Sequence, residues 1–278
     1  MKVLVTGGGG FIGRALIPCL LKAGHDVIAS SRDAGTVLPG ATLIQAGELG
    51  PDTDWRAALD GIDAVVHLAA RVHVMNERAG GAVAENMRIN AEGTAALASQ
   101  AVQAGVKHFI FLSTIKVHGE ATTAEPFRAD DTPHPLDPYA VAKLKAEQAL
   151  LEIAADGAMR ADIIRPPLVY GPGVRGNFLS LLKLCAKNWP LPLASINNRR
   201  SLIYTGNLAA LIGHILTRPD TPGGIYLCKD GQDVSTPALF RHACEALGGH
   251  PQIFPFPQFL LRLGATLVGK SAAVSRLT

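Results

Sequence analysis

The 278-residue chain predicts an α/β fold, a doubly wound parallel sheet with helices on both faces and a smaller C-terminal lobe. Three observations carry this reading. Short apolar runs alternate with segments of helical spacing as far as Arg165, the pattern of parallel strands joined by crossover helices. A glycine-rich turn, Gly7-Gly8-Gly9-Gly10-Phe11-Ile12-Gly13, separates the first strand from the first helix. Beyond Pro166 the segments shorten and prolines crowd in, among them Pro167, Pro172, Pro190, Pro192, Pro237, Pro251, Pro255 and Pro257.

Taken in order, Lys2 to Thr6 reads as a buried strand, Phe11 to Ala23 as a helix closed by Gly24, and His25 to Ser31 as a second strand. That is a βαβ unit. Strands follow near Ala41 to Ala46, Ala64 to Leu68, His108 to Ser113 and Ala161 to Arg165. Between them come a helix around Asp54 to Leu59, a long helix ending near Gly105 and another over roughly Tyr139 to Ala155, the last preceded by a polar loop from Glu120 to Pro138. The order is Rossmann-like, and such sheets bind ligands at the carboxyl ends of their strands, where the strand order reverses. Residues 1–166 are therefore expected to form the dinucleotide-binding domain with the catalytic residues, and 167–278 a smaller substrate-binding lobe.

Composition removes several classes. With 48% apolar residues the chain has ample material for a core and is not disordered. Lys and Arg total 26 against 23 Asp and Glu, a net charge of +3, so no nucleic-acid partner is expected. No apolar run is long enough for a transmembrane segment, and Met1-Lys2 leads straight into the first strand without a secretory leader. The apolar tail from Phe254 to Lys270 is expected to pack on the lobe, with a membrane-surface or partner helix as the alternative. The cysteines Cys19, Cys185, Cys228 and Cys244 lack CxxC spacing, so they read as cytoplasmic thiols, with no metal site and no disulfide framework.

Without a Cβ at Gly7, Gly10 and Gly13 the turn is tight, a pyrophosphate can reach the backbone, and the helix can pack on the strand. The helix N-terminus then offers free N–H groups to the anion. Because the pattern sits in its full strand, loop and helix context, it predicts a dinucleotide. NAD enzymes place an acid at the end of the second strand to bind the ribose 2′-hydroxyl. Here that strand ends Ser30-Ser31-Arg32, and Asp33 comes late. A hydroxyl and a guanidinium suit a 2′-phosphate, so the cofactor is NAD or NADP, with NADP favoured by Ser31 and Arg32. Glu48 and Leu49 after the third strand, and Leu68, Ala69 and Ala70 after the fourth, lie where such a sheet lines its crevice.

Tyr139 and Lys143 are four apart at the start of a helix, hence on one face with Cβ atoms about 5 to 6 Å apart. An ammonium favours phenolate over phenol, so Lys143 is expected to lower the pKa of Tyr139 and make it a usable acid/base. The preceding strand ends at Ser113-Thr114, where a hydroxyl can orient a substrate alcohol.

Together, Thr6-Gly7-Gly8-Gly9-Gly10-Phe11-Ile12-Gly13, His67-Leu68-Ala69-Ala70, Asn90-Ala91-Glu92-Gly93-Thr94, Ser113-Thr114, Tyr139…Lys143 and Arg165-Pro166-Pro167-Leu168-Val169-Tyr170-Gly171-Pro172-Gly173 resemble the extended short-chain dehydrogenase/reductases, the nucleotide-sugar epimerases and dehydratases. The resemblance covers nearly the whole chain. It implies a Thr114, Tyr139, Lys143 triad working at C4 of a UDP-hexose or UDP-N-acetylhexosamine, with Asn90 and Pro166 beside the cofactor. It also implies substrate contacts from Thr114, Asn177 and Arg200, the last gripping the diphosphate. A homodimer is common in the family. Where sugar 4,6-dehydratases carry an Asp-Glu pair after the catalytic Thr, this chain has Ile115-Lys116. An aliphatic group and an ammonium cannot supply that acid and base, so 4,6-dehydration is not expected; the resemblance implies a 4-epimerase or a 4-keto-sugar reductase instead. The Ser113-Thr114-Ile115-Lys116-Val117 and Ala70-Arg71-Val72-His73-Val74-Met75 runs resemble the branch acting in surface-polysaccharide synthesis, and His118 stands where many members have Tyr. Ending at Thr278, the chain is about thirty residues shorter than the family pattern, as a C-terminal truncation would be. Two rivals keep the fold: a catalytically silent NADP-binding sensor or scaffold, and a reductase of hydrophobic ketones or alcohols that needs no diphosphate clamp.

Overall fold

Lys2-Val3-Leu4-Val5-Thr6 buries nearly every side chain, which a strand covered on both faces requires. In the computed structural model, which describes residues 1–32, 35–72, 79–122, 125–218 and 222–260, this segment is an interior strand of the main sheet. The elements in chain order are β1 (Lys2–Thr6), α1 (Gly13–Lys22), β2 (Asp26–Ser30), β3 (Thr42–Ile44), α2 (Arg56–Leu59), β4 (Ala64–His67), α3 (Ala79–Asn86), a π turn (Met87–Glu92), α4 (Gly93–Gln103), β5 (His108–Leu112), a 3₁₀ turn (Ile115–Val117), α5 (Pro138–Ile153) and β6 (Arg160–Arg165). Then follow β7 (Leu168–Tyr170), α6 (Gly176–Ala186), β8 (Leu202–Tyr204), α7 (Thr205–Leu216), β9 (Ile225–Leu227) and α8 (Thr236–Ala246).

The main sheet runs β3-β2-β1-β4-β5-β6-β9, and every neighbouring pair is parallel. The chain steps from β1 to β2 and β3, then restarts at β4 on the other side of β1. Right-handed crossovers in opposite directions put their helices on opposite faces, as the doubly wound reading expects. Accordingly α1 packs with α7, while α4 packs with α2 and α5. The core between α2, α4, α5 and the sheet is closed by Leu4, Leu59, Val65, Leu97, Phe109, Phe111, Leu150 and Ile163.

Three elements differ from expectation. Helix α1 starts at Gly13 rather than Phe11, because the glycine turn continues through Ile12. Helix α5 starts at Pro138: the Asp137 carboxylate accepts from the Ala140 N–H at 2.7 Å, and a proline fits the first helical position. The long helix ending near Gly105 is interrupted at Met87–Glu92 by a wider π turn. The chain forms two compact units, 1–167 with 203–228, and 168–202 with 229–278. Helix α7 and strand β9 thus belong to the first unit although they lie beyond residue 167. The second unit has its own core, built from Cys185, Leu193, Ile196, Phe240, Ala243 and Cys244. No helix among the described residues is long and apolar enough to cross a membrane. Asp33, the His73-Val74-Met75 part of the loop run and the tail beyond Leu260 lie outside the described residues.

Candidate active site

The strand register fixes where the turns emerge. Thr6 pairs with both Ser30 and His67, His67 with Phe111, and Leu112 with Ile164. Gly7–Gly13, Ser31, Leu68–Ala70, Ser113–Thr114 and Pro166 therefore leave the sheet along one edge, with the reversal of strand order between β1 and β4 at its centre.

A side chain cannot be added to the glycine turn at Gly7 or Gly13. Gly7 has φ +69°, and a Cβ there would stand 2.9 Å from the Ala69 nitrogen; at Gly13 it would stand 2.5 Å from the Gly8 carbonyl oxygen. The turns after β1 and β4 thus touch backbone to backbone, and the first turn of α1 sits against the loop. Gly10 closes the turn by donating to the Gly7 carbonyl at 2.9 Å. Phe11 and Ile12 are half-buried beside it, as are Leu68, Ala69 and Ala70. After β2, Ser31 shares a hydroxyl–hydroxyl bond of 2.9 Å with Thr36, and Arg32 is exposed. After β3, Glu48 is exposed in a cavity of ≈ 380 Å³ shared with Gln45, Asp52, Thr53 and Arg88. The Leu49 side chain instead enters the core, where Gly93 leaves it room.

A buried polar chain underlies this edge. The Ala69 N–H donates to Thr6 Oγ1 at 3.3 Å, Thr6 Oγ1 lies 2.6 Å from His67 Nδ1, His67 Nε2 lies 2.9 Å from Thr94 Oγ1, and Thr94 Oγ1 donates to the Asn90 carbonyl at 2.8 Å. Thr94 has one proton and gives it to Asn90, so His67 Nε2 must be the donor and Nδ1 the acceptor. Burial, aided by the Lys143 charge, pushes His67 down to about 3, which keeps the ring neutral as this chain of donors requires. Asn90, buried in the π turn, accepts from the Arg71 N–H at 2.7 Å and donates to the Arg71 carbonyl at 2.9 Å and to Asn86 at 3.0 Å. Its side chain thus holds the loop after β4 in place.

On the other side of the edge, Thr114 is extended and caps the 3₁₀ turn, its hydroxyl accepting from the Lys116 N–H at 3.3 Å. Ile115 N–H is fixed by the buried Pro166 carbonyl at 2.9 Å. Tyr139 is in the first turn of α5 and Lys143 one turn later. Lys143 is 1% exposed; its Nζ donates to the Leu112 carbonyl at 2.8 Å and lies 4.3 Å from the Phe111 ring centroid. Burial lowers this amine to about 7, with the Glu147 carboxylate acting in the opposite sense. The Tyr139 hydroxyl does not show the expected lowering. Burial pushes it up to about 12, and the Asp137 carboxylate adds to the rise. The physical reason is that burial disfavours the phenolate, and the Lys143 amine, directed at the Leu112 carbonyl, does not offset it.

Sequence reading did not find the group below Lys143. Arg165 and Glu147, with side chains 3% and 2% exposed, pair at 2.5 Å, and Arg165 also donates from Nε to Glu147 at 3.1 Å, and from Nη1 to His118 Nε2 at 2.8 Å and to the Ala129 carbonyl. His118 is therefore neutral with its proton on Nδ1, consistent with the lowering that burial and Arg165 impose. The ring stacks on Phe127. It is a structural partner of Arg165, as a loop histidine without an assigned task would be.

In the second unit, Asn177 is exposed at the start of α6. Arg200 is half-buried, its backbone bridged to Val234 in both directions at 2.9 and 3.0 Å. Burial lowers the half-buried Arg200 guanidinium, and no carboxylate among the described residues offsets that.

A model of the NAD dependent epimerase/dehydratase family matches residues 3–228. The UDP-glucose 4-epimerase of Vibrio cholerae is 40% identical over 280 aligned residues, covering 100% of this chain and 85% of that protein. The 2-alkyl-3-oxoalkanoate reductase of Stenotrophomonas maltophilia is 35% identical, covering 89% of this chain and 76% of that protein. Among solved structures, MoeE5 in complex with UDP-glucose and NAD superposes with a TM-score of 0.77 at 29% identity, covering 92% of this chain and 85% of that one.

Proposed function

Because the chain belongs to the NAD dependent epimerase/dehydratase family, we propose that it inverts C4 of a UDP-linked hexose or N-acetylhexosamine, with Thr114, Tyr139 and Lys143 as its reacting group. The observation that carries the reading is one edge of one sheet holding both the glycine cradle and, after β5 and at the head of α5, the Thr114 hydroxyl and Tyr139. The likeness to the Vibrio cholerae enzyme supports the choice of reaction.

The cradle suits a dinucleotide: at Gly7 and Gly13 a Cβ would collide with backbone, and the turn leads directly into the N-terminus of α1, the end of a helix that favours an anion. Gly7, Gly10, Phe11, Ile12 and Gly13 would hold the pyrophosphate, Ser31 and Arg32 the adenosine ribose, Leu68 to Ala70 the crevice, and Lys143 the second ribose. When bound, NAD or NADP supplies the hydride acceptor and donor. Tyr139 removes the proton from the C4 oxygen and returns it to the same oxygen in the epimer. Thr114 hydrogen-bonds that oxygen throughout. Arg200, with no carboxylate among the described residues balancing it, and Asn177 would take the diphosphate, for which a guanidinium fork is suited.

The test is mass spectrometry and proton NMR of products from a panel of UDP-hexoses and UDP-4-keto sugars, with and without added NADPH. A 4-epimer formed without net consumption of reduced cofactor is the expected result. Consumption of NADPH with a 4-hydroxy product would make it a 4-keto-sugar reductase, and no reaction at C4 would end the assignment.

The Stenotrophomonas relative favours a second reading, a reductase of hydrophobic ketones. Arg200→Ala separates the two. Loss of a charged hydrogen bond to diphosphate should raise KM for a UDP-sugar by about 10- to 100-fold with kcat little changed, and an unchanged KM supports the ketone reductase. For the cofactor, Arg32→Asp should shift the NADP-to-NAD affinity ratio toward NAD by about 10- to 100-fold, read by titration of each dinucleotide. An unmoved ratio places Arg32 in solvent and removes the case for NADP.

A further inference from the structure

The residue pair that replaces the dehydratase acids contains a second feature. Lys116 Nζ donates to Asp137 Oδ2 at 2.7 Å and to Glu120 Oε1 at 2.8 Å. Lys116 is two residues past Thr114, and its backbone N–H donates to the Thr114 hydroxyl. Asp137 is two residues before Tyr139 and caps its helix through the other carboxylate oxygen. We propose that Lys116 and Asp137 are positioning residues for the reaction: their ion pair ties the Thr114 turn to the first turn of the Tyr139 helix and balances the charge beside the phenol. This rests on the assignment of Tyr139 as the acid/base.

The two members act in opposite senses. An anion near a phenol disfavours phenolate, and a cation bonded to that anion weakens its effect. Asp137 raises the Tyr139 hydroxyl, and Lys116, half-exposed, is bonded to that same carboxylate. The other charges on elements packed against α5 are accounted for. Arg165 on β6 pairs with Glu147, and Arg160 pairs with Asp162. On α3 and the π turn Arg88 pairs with Glu85 and Glu92 is exposed. Helix α4 carries no charged residue. On α5 itself Lys145 and Glu152 are exposed, so among the described residues of these elements Asp137 and Lys143, with Lys116 bonded to Asp137 and Glu120, are left to set the charge around Tyr139.

The experiment compares Lys116→Met, Lys116→Arg and Asp137→Asn in the full chain. Asn caps a helix about as well as Asp, so Asp137→Asn removes charge while keeping the cap. In kcat/KM against pH, which reports the free enzyme, the limb at which activity rises should move up by about half a unit to one unit in Lys116→Met and down by a similar amount in Asp137→Asn. Lys116→Arg should restore the parent profile. Independently of activity, the phenolate ultraviolet absorbance assigned to Tyr139 by subtraction of Tyr139→Phe should titrate lower in Asp137→Asn than in the parent protein. Shifts in the same direction, or no shift with only a fall in Tm, would overturn the proposal and leave a purely structural ion pair. If Tyr139→Phe turned over normally, the acid/base reading would fail instead, while the absorbance titration would still report on Asp137.

Discussion

Replacing Tyr139 by Phe is expected to lower kcat by about 10² to 10⁴ while the affinity for NAD or NADP survives, the loss typical of a removed general acid/base. Removing the hydroxyl deletes the proton carrier and little else: Asp137 still caps α5 through the Ala140 N–H, and Lys143 still bonds Leu112. The effect should be confined to the chemical step. Epimerised product measured in a single turnover would fall, while calorimetric cofactor binding would not. Near-normal turnover of the Phe variant would remove Tyr139 from the mechanism. The phenol stands at about 12 in the structure, so at neutral pH the free protein holds it protonated, as a donor. Acting as a base in the other half of an epimerisation requires cationic help, and Lys143, the nearest ammonium on the same helix face, lies near 7 where its charge is gained or lost by small changes around it.

The second large effect concerns stability. Glu147→Ala is expected to destabilise the fold by about 3 to 5 kcal/mol, because it leaves the Arg165 guanidinium buried without its anion. Against a typical total of about 5 to 15 kcal/mol this is severe, with a fall in Tm of about 5 to 10 °C. Replacing both partners by apolar residues of similar volume should recover most of the loss, since a buried pair often contributes little beyond a well-packed apolar pair. Thermal and denaturant unfolding of the two single variants and the double variant measure the coupling. A double variant as unstable as Glu147→Ala would mean that the bonds from Arg165 to His118 and Ala129, not the charge pair, hold this region. Because Glu147 also favours the ammonium form of Lys143, the single variant should lose activity even where it remains folded.

Local chemistry was readable in the residues and long-range pairing was not. The glycine turn announced itself because strand, loop and helix are contiguous, and the collisions a Cβ would make at Gly7 and Gly13 are the reason the pattern exists. Tyr139 and Lys143 lie one turn apart on α5, so their shared helix face was readable from the four-residue spacing. The π turn was invisible: one extra residue in a turn shifts the phase of a 3.6-residue repeat, and Met87–Glu92 has no proline or glycine to mark it. Arg165 meets Glu147 across 18 residues and His118 across 47, and Lys116 meets Asp137 across 21. Such pairs depend on which strand lies beside which helix, which spacing along the chain does not encode. The lowered Tyr139 pKa was expected from the four-residue spacing alone; burial and the direction of the Lys143 amine, neither visible in sequence, reverse its sign.

The return of residues 203–228 to the first unit bears on how this molecule can be dissected. A fragment stopping at Pro167 would keep the glycine turn and every residue proposed for the cofactor and the reacting group, yet strip β9 from β6 and α7 from α1. The bared strand margin is a template for self-association, and the uncovered apolar flank of α1 would add to it. Excising the second unit by a single cut is thus a recipe for aggregates, whereas bridging residue 167 to residue 203 with a short linker would preserve the whole sheet.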